Sequence, residues 1–186
     1  MGRSKLPDFD AERPPGLTGL AIFSSVCASV PGSEWARYSV ELAFGERSRS
    51  RLKIACRSLV EGDPNVAHEN DFSAGIVLPR GTVLRGGTWV LGEGRALKVL
   101  AADEDLLEVS VAPEDKSPLA LPQLALIKAA YHLGNRHVAL ELSPGLLKLE
   151  YDYVLADMLV AMGLKVNRRF GPFEPEWGAY ASGHNH

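Results

Sequence analysis

Tyr38, Val40, Leu42 and Phe44 alternate with Ser39, Glu41 and Ala43, the period of a strand with one buried face. Leu52, Ile54 and Cys56 repeat that alternation after a polar turn. Upstream, Leu20, Ile22 and Val26 predict a first strand. Residues 75–78 predict another, followed by turns at Pro79-Arg80-Gly81 and Gly86-Gly87. Residues 88–91 and 96–100 predict two short strands joined by Gly92-Glu93-Gly94, a hairpin signal. Between them, residues 58–72 are rich in Gly, Asp, Asn and Pro and predict a long loop. The pattern predicts a small all-β domain over residues 17–103, preceded by a flexible extension at 1–16.

Near Ala101-Ala102-Asp103-Glu104 the composition shifts. Leu107, Val109 and Val111 alternate as a strand, and a helix is expected to open at Pro122, where a missing N–H costs nothing. Leu124, Ile127 and Tyr131 form one apolar stripe on it, with Leu126, Ala130 and Leu133 beside it. Gly134 is expected to end this helix in a left-handed C′ conformation. Val138, Leu140 and Leu142 predict a second strand, and Pro144-Gly145 turns it into a third through Leu147, Leu149 and Tyr151. Asp152 is placed to cap a second helix. Val154, Leu155, Met158, Leu159 and Met162 supply that helix with a buried face, Gly163 ends it, and Leu164 and Val166 begin a last strand. The order βαββαβ over residues 104–170 is that of a ferredoxin-like sandwich, so the expected class is α+β. Residues 171–186 are left as a C-terminal tail.

Charge and composition narrow the functions. A net charge of −3 supplies no general attraction to nucleic acid or to an anionic membrane. No apolar run approaches the ~18 residues of a membrane span, and the polar N-terminus lacks a signal-peptide pattern, so a cytoplasmic location is expected. The two cysteines, Cys27 and Cys56, make neither a disulfide framework nor a Cys-x-x-Cys metal site. Neither a nucleophile elbow nor a phosphate-cradling glycine loop is present, and an enzyme reading finds little. The aromatic signature of an RNA-binding ferredoxin-like sheet is missing as well. Arg47, Arg49, Arg51 and Lys53 recur at alternate positions and are expected to lie along a solvated strand face.

The histidines remain: His68, His132, His137, His184 and His186. His132 falls in the last turn of the expected helix, where the macrodipole favours a cation; a capping or surface role is the simpler account of it. His137 stands just beyond the helix stop, and a lone histidine there is ordinarily structural. His184 and His186 end the sequence after Gly183 and are candidates to close a metal site from a tail. One imidazole per chain is too few for a metal, but a two-fold dimer brings the same residue of both subunits together. Imidazole suits nickel, copper and zinc, and no thiolate cluster competes.

Several motifs coincide with a known family. Leu78-Pro79-Arg80-Gly81, Leu84-Arg85-Gly86-Gly87, Ala101-Ala102-Asp103-Glu104, Tyr131-His132-Leu133-Gly134-Asn135-Arg136-His137 and Gly171-Pro172-Phe173-Glu174-Pro175-Glu176, continuing to Gly178-Ala179-Tyr180, resemble the urease accessory nickel metallochaperones of the UreE type. The resemblance implies an N-terminal β domain that docks partner proteins and a ferredoxin-like metal-binding domain. It also implies a homodimer holding Ni(II) between two copies of His137, and delivery to the urease accessory GTPase and the apo-urease complex. His132, His184 and His186 are the further candidate ligands, and Zn(II) and Cu(II) are in vitro alternatives to nickel. Relatives with histidines just after the third strand contrast with Tyr151 and Tyr153 here. Phenols are poor ligands at neutral pH, with a reference pKa near ~10. Two competing readings stay open: a protein-binding adaptor with a degenerate metal site, and a carrier of another divalent metal.

Overall fold

A computed structural model describes residues 16–59, 72–111 and 120–176. The expected extension up to residue 15, residues 60–71 of the expected loop and the tail from residue 177 lie outside the described residues. The chain is α+β, with two sheets and few helices. Its internal contacts divide it into two units: Met1–Val40, Ser50–Arg80 and Trp89–Lys98 form the first, and Glu41–Arg49, Gly81–Thr88 and Val99–His186 the second. Residues 41–49, 81–88 and 99–103 thus group with the second unit and not with the rest of the first hundred.

The strands β1 (Ala21–Phe23), β2 (Ser25–Cys27), β3 (Ala36–Leu42), β4 (Arg51–Ser58), β5 (Phe72–Val77), β6 (Trp89–Gly92) and β7 (Arg95–Ala101) form one sheet in the order β1-β5-β4-β3-β7-β6-β2. Alternation is visible in β4, where Ile54 and Cys56 are buried between exposed neighbours, whereas β6 and β7 bury consecutive residues, Trp89 with Val90 and Ala96 with Leu97. The single strand expected across Leu20 to Val26 is instead two. β1 pairs parallel with β5 and β2 pairs antiparallel with β6; the break falls at Ser24, whose N–H donates to the Leu91 carbonyl at 3.0 Å. Between β6 and β7, Glu93 and Gly94 both take positive φ, 48° and 74°, the two left-handed positions of a type I′ hairpin turn.

In the second unit, a short helix α1 (Phe44–Arg47) takes the place of the strand end expected at Phe44. The alternation stops there because carboxylates meet the free backbone donors of the turn. Glu46 accepts from Ala43 N–H at 3.1 Å and Glu104 accepts from Phe44 N–H at 2.8 Å.

Next come β8 (Asp103–Val111), α2 (Ala120–Gly134), β9 (Glu141–Ser143), β10 (Leu146–Glu150), α3 (Tyr153–Ala161) and β11 (Leu164–Pro172). The sheet order is β11-β8-β10-β9, every neighbour antiparallel. The core is built where both helices meet one face of this sheet. Leu107 and Val109 of β8, Leu147 and Leu149 of β10 and Leu164 of β11 join Leu126, Ala129 and Leu133 of α2 and Leu159 of α3.

Asp152 caps α3, its carboxylate accepting from Leu155 N–H at 2.9 Å. Three expectations need correction here. α2 begins two residues before Pro122, which still falls in the first turn, where its missing N–H has no intrahelical partner to lose. Of the strand expected through Val138, Leu140 and Leu142, only residues 141 and 142 pair, in a strand that runs Glu141–Ser143. Val154 is exposed, because the face of α3 that meets the sheet is the Leu155, Met158, Leu159 and Met162 side.

Candidate metal centre

The C-terminus of α2 differs from its expected form. Gly134 is the last helical residue and His137 is the one with left-handed φ, at 57°. The His137 N–H donates to the Gly134 carbonyl at 2.9 Å and the Val138 N–H to the Leu133 carbonyl at 3.1 Å. These two bonds make a Schellman motif with His137 at C′. Its apolar closure is present too: Leu133 is fully buried and Val138 packs against the same core. Histidine is among the few non-glycine types enriched in the left-handed region. The stop thus uses the fourth residue of Gly134-Asn135-Arg136-His137, and the imidazole stands exposed at its tip.

His132 is also exposed, in the last turn of α2, with its ring edge-on to Tyr131 at 5.5 Å between centroids. The stripe Leu124, Ile127 and Tyr131 on the same helix lies on the solvent side, at 42%, 64% and 65% exposure. The buried stripe is its neighbour, Leu126, Ala129 and Leu133. His68, His184 and His186 lie outside the described residues. Among the described residues, no three His, Cys, Asp or Glu side chains of one chain come together as a metal-binding group.

Tyr151 and Tyr153 occupy the start of α3 and its approach. Arg168 lies over the Tyr151 ring at 4.0 Å and makes a two-pronged ion pair with Asp105, at 2.8 and 2.6 Å. Hydrogen bonding from that guanidinium holds the Asp105 carboxyl below its ordinary range, and the same bonds raise Arg168. Tyr151 is therefore engaged with a cation through its face, while Tyr153 is exposed.

The segment following β11 is bound tightly to the stretch after His137. Glu176 N–H donates to the Leu140 carbonyl at 2.7 Å, and Glu174 N–H to the Glu141 carboxylate at 2.8 Å. Beneath it sits a residue that the sequence placed wrongly. Arg49, Arg51 and Lys53 are exposed as expected, but Arg47 is completely buried. Its Nε donates to the Leu42 carbonyl at 3.0 Å, and its Nη1 to the Leu84 carbonyl at 3.2 Å and to Glu174 Oε1 at 2.9 Å. Its Nη2 donates to the Phe173 carbonyl, with Glu104 4.0 Å away. Glu174 also accepts from Gly86 N–H at 2.7 Å and from Arg85 at 3.2 Å. A planar fork of five N–H groups is the one side chain that satisfies so many fixed acceptors at once. Alternation cannot distinguish such an arginine from its solvated neighbours; the available signal was Phe44-Gly45, where the strand pattern is broken.

Residues 104–186 match the family model described as UreE urease accessory protein, C-terminal domain. The chain is similar to the Urease accessory protein UreE of Cupriavidus necator, 45% identical over 146 residues that cover 78% of this chain and 65% of the relative. It is similar to that of Burkholderia pseudomallei, 44% identical over 149 residues, 80% and 63% of the two lengths. It is also similar to that of Paracidovorax citrulli, 46% identical over 133 residues, 67% and 61%. The aligned region spans about three fifths of the length of these curated relatives.

Proposed function

We propose that the chain is a member of the UreE urease accessory protein family, as its match to that family's C-terminal domain and its 44–46% identical relatives support, and that it is a nickel-binding metallochaperone that delivers Ni(II) for assembly of the urease active site. Nickel is its cargo, and the protein is a carrier without catalytic turnover. The observation that carries this reading is His137, an exposed imidazole at the left-handed C′ position of α2. A non-glycine residue held in that conformation is a feature that clusters at functional sites.

One imidazole does not hold a metal alone. The exposed Leu124-Ile127-Tyr131 stripe on the helix that ends beside His137 supports an isologous homodimer, in which the two-fold axis pairs the two imidazoles. The order βαββαβ with sheet order β11-β8-β10-β9 supports reading residues 104–170 as a ferredoxin-like metal-binding domain. Within the expected 17–103 domain, the residues of the first unit, 17–40, 50–80 and 89–98, are then the β part that docks the urease accessory GTPase and the apo-urease complex.

His132, in the last turn of α2, is a further candidate ligand. His184 and His186 follow Glu176 by eight and ten residues. At ~3.5 Å per residue, such a tether spans at most about 28 Å to His184, enough to reach a site near Leu140. The Arg168 guanidinium stacked on Tyr151 gives that ring a structural occupation, which favours a single shared site over an additional one at the tyrosines. Carriage of Zn(II) or Cu(II) would use the same imidazoles.

Calorimetric nickel titration of the full chain beside His137→Ala tests the proposal, with Zn(II) and Cu(II) competition in parallel. One nickel per two chains is expected for the wild type, with most affinity lost in the variant. Equal affinity in both proteins would move the site elsewhere.

A further inference from the structure

Arg47 lies far from His137 in sequence and outside the residues that match the family's C-terminal domain, yet both belong to the second unit. The bonds between them form a continuous chain. Arg47 grips Glu174 and the Phe173 carbonyl. Glu174 N–H then reaches the Glu141 carboxylate, and Glu176 N–H reaches the Leu140 carbonyl. Leu140 and Glu141 follow His137 by three and four residues. On the other side, His137 and Val138 are tied back to Gly134 and Leu133. His137 is thus the corner of a short span whose two ends are both fixed. A left-handed non-glycine residue persists only where its surroundings over-determine it, and the second of these two fixed ends depends on Arg47.

We propose that Arg47 is a positioning residue for His137, acting through Glu174 and Glu141 to hold the imidazole in the orientation that binds metal. Glu141 is well suited to the link, since one oxygen takes the Glu174 N–H and the other takes Lys148 Nζ at 2.8 Å. That second bond holds the carboxylate in place. The backbone of Phe173–Glu176 carries the connection from the buried guanidinium to the strand that follows the metal residue. The inference rests on His137 being the nickel ligand.

The test uses the full chain with Arg47→Met, Glu141→Ala and Glu141→Gln. Two readings are taken: nickel affinity by calorimetry, and the amide resonances of His137 and Val138 in the metal-free protein. Partners that orient a metal ligand from outside its coordination sphere typically change affinity by ~10–100-fold. At this remove, Arg47→Met and Glu141→Ala are expected to weaken nickel binding roughly tenfold and to shift both resonances. Glu141→Gln retains one oxygen for Glu174 N–H but turns its amide NH2 toward Lys148 Nζ and loses that bond, so it is expected to recover only part of the affinity and of the resonance positions lost in Glu141→Ala. Should Arg47→Met not fold, the two Glu141 variants decide alone. Wild-type resonances and wild-type affinity in Glu141→Ala would overturn the proposal, and so would a Glu141→Gln protein as impaired as Glu141→Ala. If the wild-type protein bound nickel independently of His137, the proposed function would fail, while the metal-free resonances would still decide whether the link exists.

Discussion

His137 takes a backbone conformation that a histidine adopts at some cost, and that cost separates its two roles. In the left-handed region the side-chain Cβ crowds the following carbonyl, an unfavourable contact of roughly 1–2 kcal/mol that glycine does not have. His137→Gly and His137→Ala both remove the imidazole, so both should lose the nickel affinity assigned to it. Their stabilities should diverge. In chelator-treated protein, His137→Gly is expected to unfold later than His137→Ala by about 1 kcal/mol, measured by chemical denaturation. Equal midpoints would mean that residue 137 leaves the left-handed region once its ring is removed. Much of this was legible in Gly134-Asn135-Arg136-His137, since a helix stop was plain from the apolar run before it. Which residue takes the left-handed turn was not, because glycine, asparagine and histidine all tolerate it and the choice depends on where Val138 re-enters the core. Arg47 was illegible for a different reason. Its burial depends on acceptors at Leu42, Leu84, Phe173 and Glu174, residues that only the folded chain brings together.

Among the elements, the link joining β8, β11 and the residue after β10 is the Asp105–Arg168–Tyr151 stack. Both charged groups are substantially exposed, at 29% for Asp105 and 54% for Arg168, so screening limits its strength. The direction of its pH dependence is nonetheless set. The Asp105 carboxyl titrates lower in the folded protein than its ordinary value of 3.8, because Arg168 hydrogen-bonds to its charged form. The stabilisation is therefore fully present above that ordinary value and is lost as the pH falls through the lower folded one. The stability gap between wild type and Asp105→Asn, followed by urea denaturation, should be constant above about pH 5 and should shrink below about pH 4. A gap that grew on acidification would contradict this assignment. Element types were readable from sequence where the period-two pattern is strong, as in β4, or where a glycine turn marks a hairpin, as between β6 and β7. Their failures share a cause: a local pattern continues past the point where a hydrogen bond ends it. Phe44 extends an alternation that Glu46 and Glu104 convert into a helical turn, and Leu20 to Val26 form one apolar run that Ser24 divides between two partners.

For the molecule as a whole, sequence order is a poor guide to grouping. Residues 41–49 and 81–88 precede the compositional shift near 103 yet belong to the second unit, because their backbone and side-chain partners are at Glu104 and 173–174. The same limitation applies to α2. Its apolar residues form two adjacent stripes, and only the fold distinguishes Leu126-Ala129-Leu133, which face the sheet, from Leu124-Ile127-Tyr131, which do not. The outward stripe is the basis of the last prediction. In the proposed dimer, two-fold pairing of this face would remove Ile127, 64% exposed in the single chain, from water. A carboxylate at that position would have to be desolvated in the dimer without a partner, a large penalty. In the isolated chain it would remain solvated and change stability by no more than about 0.5 kcal/mol. Ile127→Asp should therefore sediment as a monomer at concentrations where the wild type is dimeric, with an unaltered circular dichroism spectrum. Nickel affinity should fall along with the dimer, since each particle then offers His137 once. A variant that remained dimeric with unchanged nickel binding would place the two-fold axis on another face and separate the stripe from the metal centre.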